Sequence, residues 1–274
     1  SWAAESPVSN FETRIDNATR EREDKAAYVK FQLKEPIGKT AASDHLVAWT
    51  TTPWTLPSNL ALAVSGTLNY LPVIDGDSRL WLETKAALSL AKQLATKEQK
   101  DIIETARCVM RPFTSEDLPL LLQLHQHPEV AKTTYDGFES DERITAHLND
   151  FLAHQKEHGY SQWAVFDRKT QQFMGRCGVS KRQIDASRPP QLEIRCALLP
   201  EFWHGGIASE CCYAWLLRSF ATQPIDMMVG AAHADNSRSH AMMKRLGYVF
   251  EKDLPMKNDT GPYFILTRDA FLAA

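Results

Sequence analysis

This chain of 274 residues lacks a long apolar run, and no stretch reaches the roughly eighteen residues that a membrane-crossing helix needs. It also lacks a charged and then apolar opening of the kind that marks a secretory signal peptide. Neither sign of charge dominates, because 34 acidic residues oppose 31 basic ones, so the broad positive field of a nucleic-acid-binding protein is missing. These absences predict a cytoplasmic protein without a membrane partner. The length of the chain allows two domains.

Cysteine is scarce and odd in number, which argues against a framework of disulfides. The five cysteines have apolar or strand-like surroundings, so reduced core thiols are expected. They are Cys108, Cys177, Cys196, Cys211 and Cys212.

Two pairs of histidines could suggest metal ligands. His125 and His127 lie close together, and His154 and His158 share a helical face. Neither pair has a third ligand at matching spacing, so no metal site is predicted.

Two adjacent glycines, Gly205 and Gly206, lie where a predicted strand gives way to a predicted helix. In residues 191–199, polar and apolar side chains alternate and then give way to an apolar run that ends at Pro200, as in a strand. From Ile207 onwards, apolar residues recur at helical spacing. Free amides and the positive dipole end at such a helix start can bind a diphosphate, which glycine lets approach the backbone closely. By themselves, two glycines also suit an ordinary tight turn.

The residues around these glycines favour the phosphate site. Trp203, Gly206 and Ala208 occupy the first, fourth and sixth places of a pattern that resembles Arg/Gln-x-x-Gly-x-Gly/Ala, the pyrophosphate motif of the GNAT superfamily of acetyltransferases. Tryptophan departs from the general motif, but Phe202-Trp203 followed by glycine fits the branch similar to ribosomal-protein N-terminal acetyltransferases. His204 stands where glycine is usual.

A second motif follows about thirty residues later. Asn236-x-x-Ser239, a short predicted helix and then Leu-Gly-Tyr resemble the second signature of the same superfamily. The resemblance implies that the Asn236 side chain holds the pantetheine arm, although asparagine also favours a helix N-cap. Many members place a tyrosine near position 243 as the acid that protonates the thiolate; here Met243 stands there, and Ser239 is the expected substitute.

Acetyl transfer to an amine needs a base, because an amine with a pKa near ~8 to ~10 is mostly protonated at neutral pH. Glu193 is the candidate, since it lies on the strand that leads to the glycines, where this branch carries an acidic residue facing the acceptor. The alternative is a solvated carboxylate or a partner of Arg195. Backbone amides around Leu198 and Leu199 would polarise the thioester oxygen.

The resemblance covers residues 107–274 and implies an α/β (α+β) fold with a mixed, mostly antiparallel central sheet flanked by helices. It implies acetyl-coenzyme A as co-substrate, no metal, and a primary amine as acceptor. Ranked by resemblance, that amine belongs to a protein N-terminus, then to a small molecule, then to an aminoacyl-tRNA. The expected coenzyme-binding residues are Leu198, Leu199, Trp203, His204, Gly205, Gly206, Ile207, Ala208, Ser209 and Asn236.

A different pattern occupies residues 1–95, joined to the rest by a polar linker at 96–106. Residues 47–61 read VAWTTTPWTLPSNLA and resemble the threonine-rich part of the editing domain of isoleucyl-tRNA synthetases and their valyl and leucyl relatives. The resemblance implies a smaller, β-rich, partial editing-type domain, with tRNA as a possible partner. Its pocket residues would be Thr50, Thr51, Thr52 and Thr55.

Parts of that second family are absent. The later half of the editing domain, with its Gly-x-Gly-x-x-His-x-Ala-Pro stretch and substrate-gripping aspartate, does not occur. Neither do the synthetase signatures His-Ile-Gly-His and Lys-Met-Ser-Lys-Ser, which excludes aminoacylation. The sequence therefore predicts an N-acetyltransferase joined to an incomplete editing module; the rivals are a tRNA-binding or editing module with a degenerate acetyltransferase domain, and a non-enzymatic fusion of remnants.

Overall fold

Two β-sheets organise the chain. The computed structural model describes residues 27–50, 62, 68–75, 78–96, 101–132, 139–255 and 260–273. Within those residues, no helix is both long and apolar enough to cross a membrane.

The smaller sheet lies first in the sequence and has four strands in the order β1-β2-β4-β3. Its outer pairs are antiparallel, while β2 and β4 run parallel. Helix α1 follows directly and buries Ala87 and Ala91. The elements are β1 (Ala27–Gln32), β2 (His45–Thr50), β3 (Tyr70–Asp75), β4 (Ser78–Glu83) and α1 (Thr84–Thr96).

The larger sheet has eight strands in the order β11-β12-β10-β9-β8-β7-β6-β5. Its neighbours are antiparallel except β9 and β10, which run parallel because helix α5 crosses over between them. The strands are β5 (Ile103–Glu104), β6 (Cys108–Pro112), β7 (Gln162–Asp167), β8 (Phe173–Arg182), β9 (Gln191–Leu198), β10 (Met227–Ala231), β11 (Val249–Pro255) and β12 (Thr260–Thr267).

Helices cover both faces of this sheet. One core cluster joins the sheet to α5, with Trp163 and Trp215 meeting edge to face at 4.8 Å between ring centroids. A second cluster joins the opposite face to α2 and α4 through Leu121, Ile144 and Leu199. The helices are α2 (Leu118–His125), α3 (Pro128–Ala131), α4 (Asp141–His158), α5 (Ile207–Thr222), α6 (Ser237–Arg245) and α7 (Arg268–Ala273).

The fold expected from the sequence is confirmed: a mixed, mostly antiparallel sheet flanked by helices, with a small β-rich unit before it. Strands β7 and β8 form a hairpin, and Thr114 and Asp117 close a capping box at the entry to α2. Strand β11 was not anticipated. The predicted linker at 96–106 contains β5, which pairs with β6 at the sheet edge because Ile103 has an apolar site to fill there.

The two sheets share a hydrophobic cluster. Leu80 and Leu82 of the small sheet belong to the same buried cluster as Leu217 and Phe220 of α5, and α1 packs between them. Burial of this kind stabilises by about 25 cal/mol per Å² of apolar surface. The small sheet is therefore attached to the larger one by packing as well as by the chain.

Candidate active site

A gap opens in the larger sheet between its two parallel strands. Strand β9 pairs with β10 only at Leu192 and Glu193, and the ladder stops there although β9 continues to Leu198. The Leu199 amide donates to the Met174 carbonyl of β8 at 2.8 Å. Because amides alternate in direction along a strand, those of 196 and 198, past the end of the ladder, point away from β8 and into the gap.

The loop after β9 is held in an unusual conformation. A 3-10 turn at Pro200–Phe202 leads to His204 and Gly206, whose φ angles are 70° and 77°. This left-handed region of φ strains a residue that has a Cβ and suits glycine, so the backbone is strained at His204. The motif that the sequence resembles has glycine at this position. The Trp203 indole donates to the Leu198 carbonyl at 2.8 Å and fastens the loop to the strand.

The first turn of α5 presents free amides. The first backbone bond of the helix runs from the Glu210 amide to the Gly206 carbonyl at 3.0 Å. Among the described residues, the amides of Ile207, Ala208 and Ser209 have no backbone acceptor. The Ser209 hydroxyl is buried and also has no partner. With the positive end of the helix dipole, these donors form a site for an anion.

Arg107 holds the back of this loop. Its guanidinium donates to the Gly205 carbonyl at 2.7 Å and to the Glu210 carboxylate at 2.8 Å. The two contacts join the residue before β6 to the start of α5. The Arg107 side chain therefore stabilises the conformation of the glycine turn.

Helix α6 faces this loop across the gap. The Asn236 side-chain oxygen accepts from the Ser239 amide at 3.1 Å and so caps the helix, while its NH₂ group has no acceptor among the described residues and remains a donor. Arg238 of the same helix stacks over Trp203, with 4.1 Å from guanidinium carbon to ring centroid. Met243 packs beneath, against Gly230 of β10.

A cavity of about 490 Å³ passes through the gap and connects both faces of the sheet. After the roles expected from the sequence, we call its part around the α5 loop and α6 the coenzyme end, and its part beneath α2 and α4 the acceptor chamber. The coenzyme end is lined by residues 202–204, 206–209, Asn236, Arg238, Ser239 and Arg245. The acceptor chamber is lined by His125, Glu139, His147, Phe151, Arg176, Arg182, Glu193 and Arg195.

Glu193 lies in the acceptor chamber, buried to 5% exposure. Its carboxylate is 3.3 Å from a guanidinium nitrogen of Arg182 and 4.0 Å from one of Arg195. The alternative of an ion pair with Arg195 is thus partly correct, with Arg182 the nearer partner. Both arginines are partly exposed to solvent. The Glu193 carboxylate therefore lines the chamber and stays accessible from it.

Four polar residues in the wall of the same chamber form a hydrogen-bonded network that was not predicted from the sequence. The Glu139 carboxylate bonds to His125 Nδ1 at 2.6 Å and to His147 Nε2 at 2.9 Å, and Arg176 Nε donates to His125 Nε2 at 3.3 Å. Because arginine can only donate, His125 Nε2 must accept, which requires a neutral ring. Burial first, and Arg176 second, lower the pKa of His125 to about 4.

Three thiols lie against the gap from the other face. The sulfurs of Cys177, Cys196 and Cys212 are all within 4.8 Å of one another. Hydrogen bonds from Cys177 and Cys212, together with Arg176, lower the pKa of Cys196, the thiol that lines the cavity. The cysteines are free, as expected, but their convergence from β8, β9 and α5 could not be seen in the sequence.

Comparison with known proteins agrees with this geometry. Residues 107–249 match the family model described as the acetyltransferase (GNAT) domain. The chain belongs to the GNAT acetyltransferase family.

Solved structures show the same fold as this GNAT chain. RimL, titled a ribosomal L7/L12 alpha-N-protein acetyltransferase in complex with coenzyme A, is 18% identical, with a TM-score of 0.52 over 62% of this chain and 99% of that one. A putative GNAT-family acetyltransferase from Bordetella pertussis is 14% identical, with a TM-score of 0.54 over 60% of this chain and 98% of that one. At such identities the likeness shows the fold alone.

A second similarity concerns a different class of protein. The isoleucine–tRNA ligase of Rickettsia africae is 46% identical over 104 residues, which is 37% of this chain and 10% of the ligase. That of Rickettsia typhi is 36% identical over 154 residues, 50% of this chain and 14% of the ligase. The GNAT chain thus spans only about a tenth of the length of these relatives.

The structure brings most of the predicted coenzyme residues to one end of the cavity. Gly205 and Leu199 are exceptions. Gly205 is absent from the cavity lining, and its carbonyl accepts from Arg107. The Leu199 amide donates to Met174, and its side chain is buried against α2 and α4, so it cannot polarise a thioester. The amides at 196 and 198 face the gap instead. The predicted threonine pocket lies outside the described residues, apart from the backbone of Thr50 at the end of β2.

Proposed function

We propose that this chain is an acetyl-coenzyme A dependent N-acetyltransferase acting on a primary amine. The observation that carries the proposal is the gap between β9 and β10, with free helix-start amides at one end and a buried carboxylate at the other. A thioester arm that enters beside the α5 loop and runs along the gap would end near Glu193. RimL, which shares the fold, is described as binding coenzyme A.

The residues fit such a co-substrate. The amides of Ile207, Ala208 and Ser209, with the unpartnered Ser209 hydroxyl, would hold the diphosphate. The Asn236 NH₂ group would donate to a carbonyl of the pantetheine arm. Cationic Arg238 and Arg245 line the same end and would neutralise phosphate charge.

The chemistry follows from this placement. Glu193 would take a proton from the acceptor ammonium, directly or through water, and the freed amine nitrogen would attack the thioester carbonyl. Amides at 196 and 198 would stabilise the negative charge that develops on the carbonyl oxygen. As the carbon–sulfur bond breaks, the Ser239 hydroxyl, which lines the cavity on α6, would pass its proton to the thiolate and take in exchange, directly or through water, the second proton from the amide nitrogen.

We further propose the acceptor order given by family resemblance: a protein N-terminal amine, then a small-molecule amine, then an aminoacyl-tRNA. The division into an editing-like unit at 1–95, a linker at 96–106 and an acetyltransferase unit at 107–274 is part of the same proposal, as is cytoplasmic location. A mass-spectrometric screen of peptides, polyamines and charged tRNA would rank the acceptors.

Binding of the co-substrate is the first test. Saturating acetyl-coenzyme A should raise the melting temperature, since a ligand at many times its Kd stabilises the fold that it binds. Ala208→Asp should abolish this shift, because a carboxylate suits a helix start but repels a diphosphate. Ala270→Asp, at the exposed start of α7, is the matched control and should keep it. No shift with the unaltered chain would reject the proposal.

The ligase similarity supports a second candidate, a tRNA-binding or editing module with a degenerate acetyltransferase domain. Phosphate contacts make tRNA binding weaken steeply with salt. If the full chain bound tRNA in that manner and showed no acetyl-coenzyme A shift, this candidate would replace the first. Absence of tRNA binding at low ionic strength would remove it.

A further inference from the structure

Arg176 is a buried cation on the wall of the acceptor chamber. Its side chain extends from β8 on the face covered by α2 and α4, and the residue is 4% exposed. Two of its three nitrogens are occupied by neutral partners: Nε donates to His125 and Nη1 donates to the Gln162 side-chain oxygen at 2.8 Å. Nη2 has no partner among the described residues.

No carboxylate of the described chain lies within ion-pair distance of Arg176, which is unusual for a buried guanidinium. The nearest candidate, Glu139, is held by His125, His147 and Arg143, the last with its Nε 3.3 Å away. Burial first, and the charge of Arg195 second, lower the pKa of Arg176 to about 9. The protein therefore holds a positive charge here without neutralising it.

The rest of the chamber does not neutralise this charge either. Arg182 and Arg195 both form their ion pair with the single carboxylate of Glu193. The lining thus carries three guanidinium groups against two carboxylates, with the neutral ring of His125 between Arg176 and Glu139. Phe151 closes one side, with 5.9 Å from its ring centroid to the Arg176 guanidinium carbon. A ligand group that enters this chamber meets a buried positive charge at Arg176.

We propose that the acceptor amine also carries a carboxylate, and that Arg176 binds this carboxylate through Nη2 in the acceptor chamber. A planar guanidinium matches a carboxylate in shape and charge, and the pairing is strong where water is excluded. Arg176 lies opposite Ala197 in the register, so it shares the sheet face of Glu193 and Arg195. The inference rests on the proposed acetyl transfer and names its substrate class.

The test compares acceptors that differ only in the carboxylate. Three matched pairs separate the sources of this group: alanine and alaninamide, 5-aminopentanoate and 1-aminopentane, and the dipeptide amides of Asp-Ala and Asn-Ala. For at least one pair, kcat/KM of the unaltered chain should favour the carboxylate by about 100-fold, as expected for a desolvated charge pair. Which pair shows it identifies a free amino acid, a longer amino acid or an acidic peptide start.

Variants separate recognition from stability. Arg176→Lys keeps the charge but loses the planar fork, and Arg176→Gln loses the charge. The ratio within the discriminating pair should fall about 10-fold for lysine and almost to one for glutamine. A purely structural role would lower both members of the pair equally and leave the ratio unchanged. Arg218→Gln, which removes another largely buried guanidinium from α5 beside Trp163, should leave the ratio intact.

The outcomes are distinct. Acetylation of amines with all three ratios within about threefold would overturn the carboxylate proposal and leave the acetyltransferase assignment standing. An unchanged ratio in Arg176→Gln, with discrimination retained, would move the carboxylate site away from Arg176. Failure of every amine, together with no acetyl-coenzyme A shift, would count against the proposed function itself.

Discussion

The two ends of the cavity are built in opposite ways. The coenzyme end is built from two short, continuous segments: the α5 start offers free backbone amides, and the α6 start offers the Asn236 and Arg238 side chains. The acceptor chamber uses side chains alone, delivered by α2, α4, β8 and β9. Backbone recognition leaves a readable motif in the sequence, because turns and helix starts need particular residues. Side-chain recognition from separate elements leaves none.

The largest effect that tests this contrast is catalytic. Glu193→Gln keeps the shape of the chamber but removes the proton acceptor, so kcat should fall about 100-fold or more, most at low pH where the amine is protonated. The pH-rate profile of peptide or amine acetylation measures it. Glu251→Gln, which breaks an arginine ion pair on β11 away from the cavity, should leave kcat unchanged. Equal losses for both variants would reduce Glu193 to a structural ion pair.

Stability against acid should reveal the network above the chamber. The folded-state pKa of His125 is about 4, below the ordinary value of 6.5, so its contribution is complete above pH 6.5 and is lost as the pH falls towards 4. The loss should reach about 3 kcal/mol at most, measured as the free energy of unfolding in urea at pH 7 and pH 4.5. Burial raises the pKa of Glu139, but hydrogen bonds from His147 and His125 outweigh this and keep it low, which adds to the loss at still lower pH.

His125→Gln should remove most of that pH dependence, while His158→Gln, at the end of α4, should not. If the two variants behaved alike, the neutral ring between Glu139 and Arg176 would not be the source. The chamber would then owe its acid sensitivity to other groups.

The smallest effect concerns the coenzyme end. Asn236→Ala should lower the free energy of unfolding by about 1 kcal/mol, since the cap to Ser239 is lost, whereas Asn236→Ser should keep the cap and most of the stability. Both variants lose the NH₂ donors and should bind coenzyme A about 10-fold more weakly in calorimetry. If Asn236→Ser bound as tightly as the unaltered chain, the asparagine would be a cap and nothing more.

Several elements were predictable because the decisive forces are local. The strand before Gly205, the helix from Ile207 and the C-cap at Gly247, with φ of 90°, all follow from spacing and from the conformations that glycine allows. The prediction for Leu199 was wrong because sequence gives no register: only pairing with β8 decides which amides face the gap. Strand β11 escaped notice because Val249 and Phe250 are exposed and show no buried alternation.

The sequence by itself determined the family, the fold and the position of the α5 and α6 starts, since those depend on contiguous residues whose backbone chemistry is fixed by type and spacing. Only the tertiary structure decided that the β9–β10 ladder ends at Glu193, that three thiols meet beside it, and that Arg176 is buried without an anionic partner among the described residues. Charge, burial and distance between remote elements arise when the chain packs, and with them the proposed selectivity for a carboxylate.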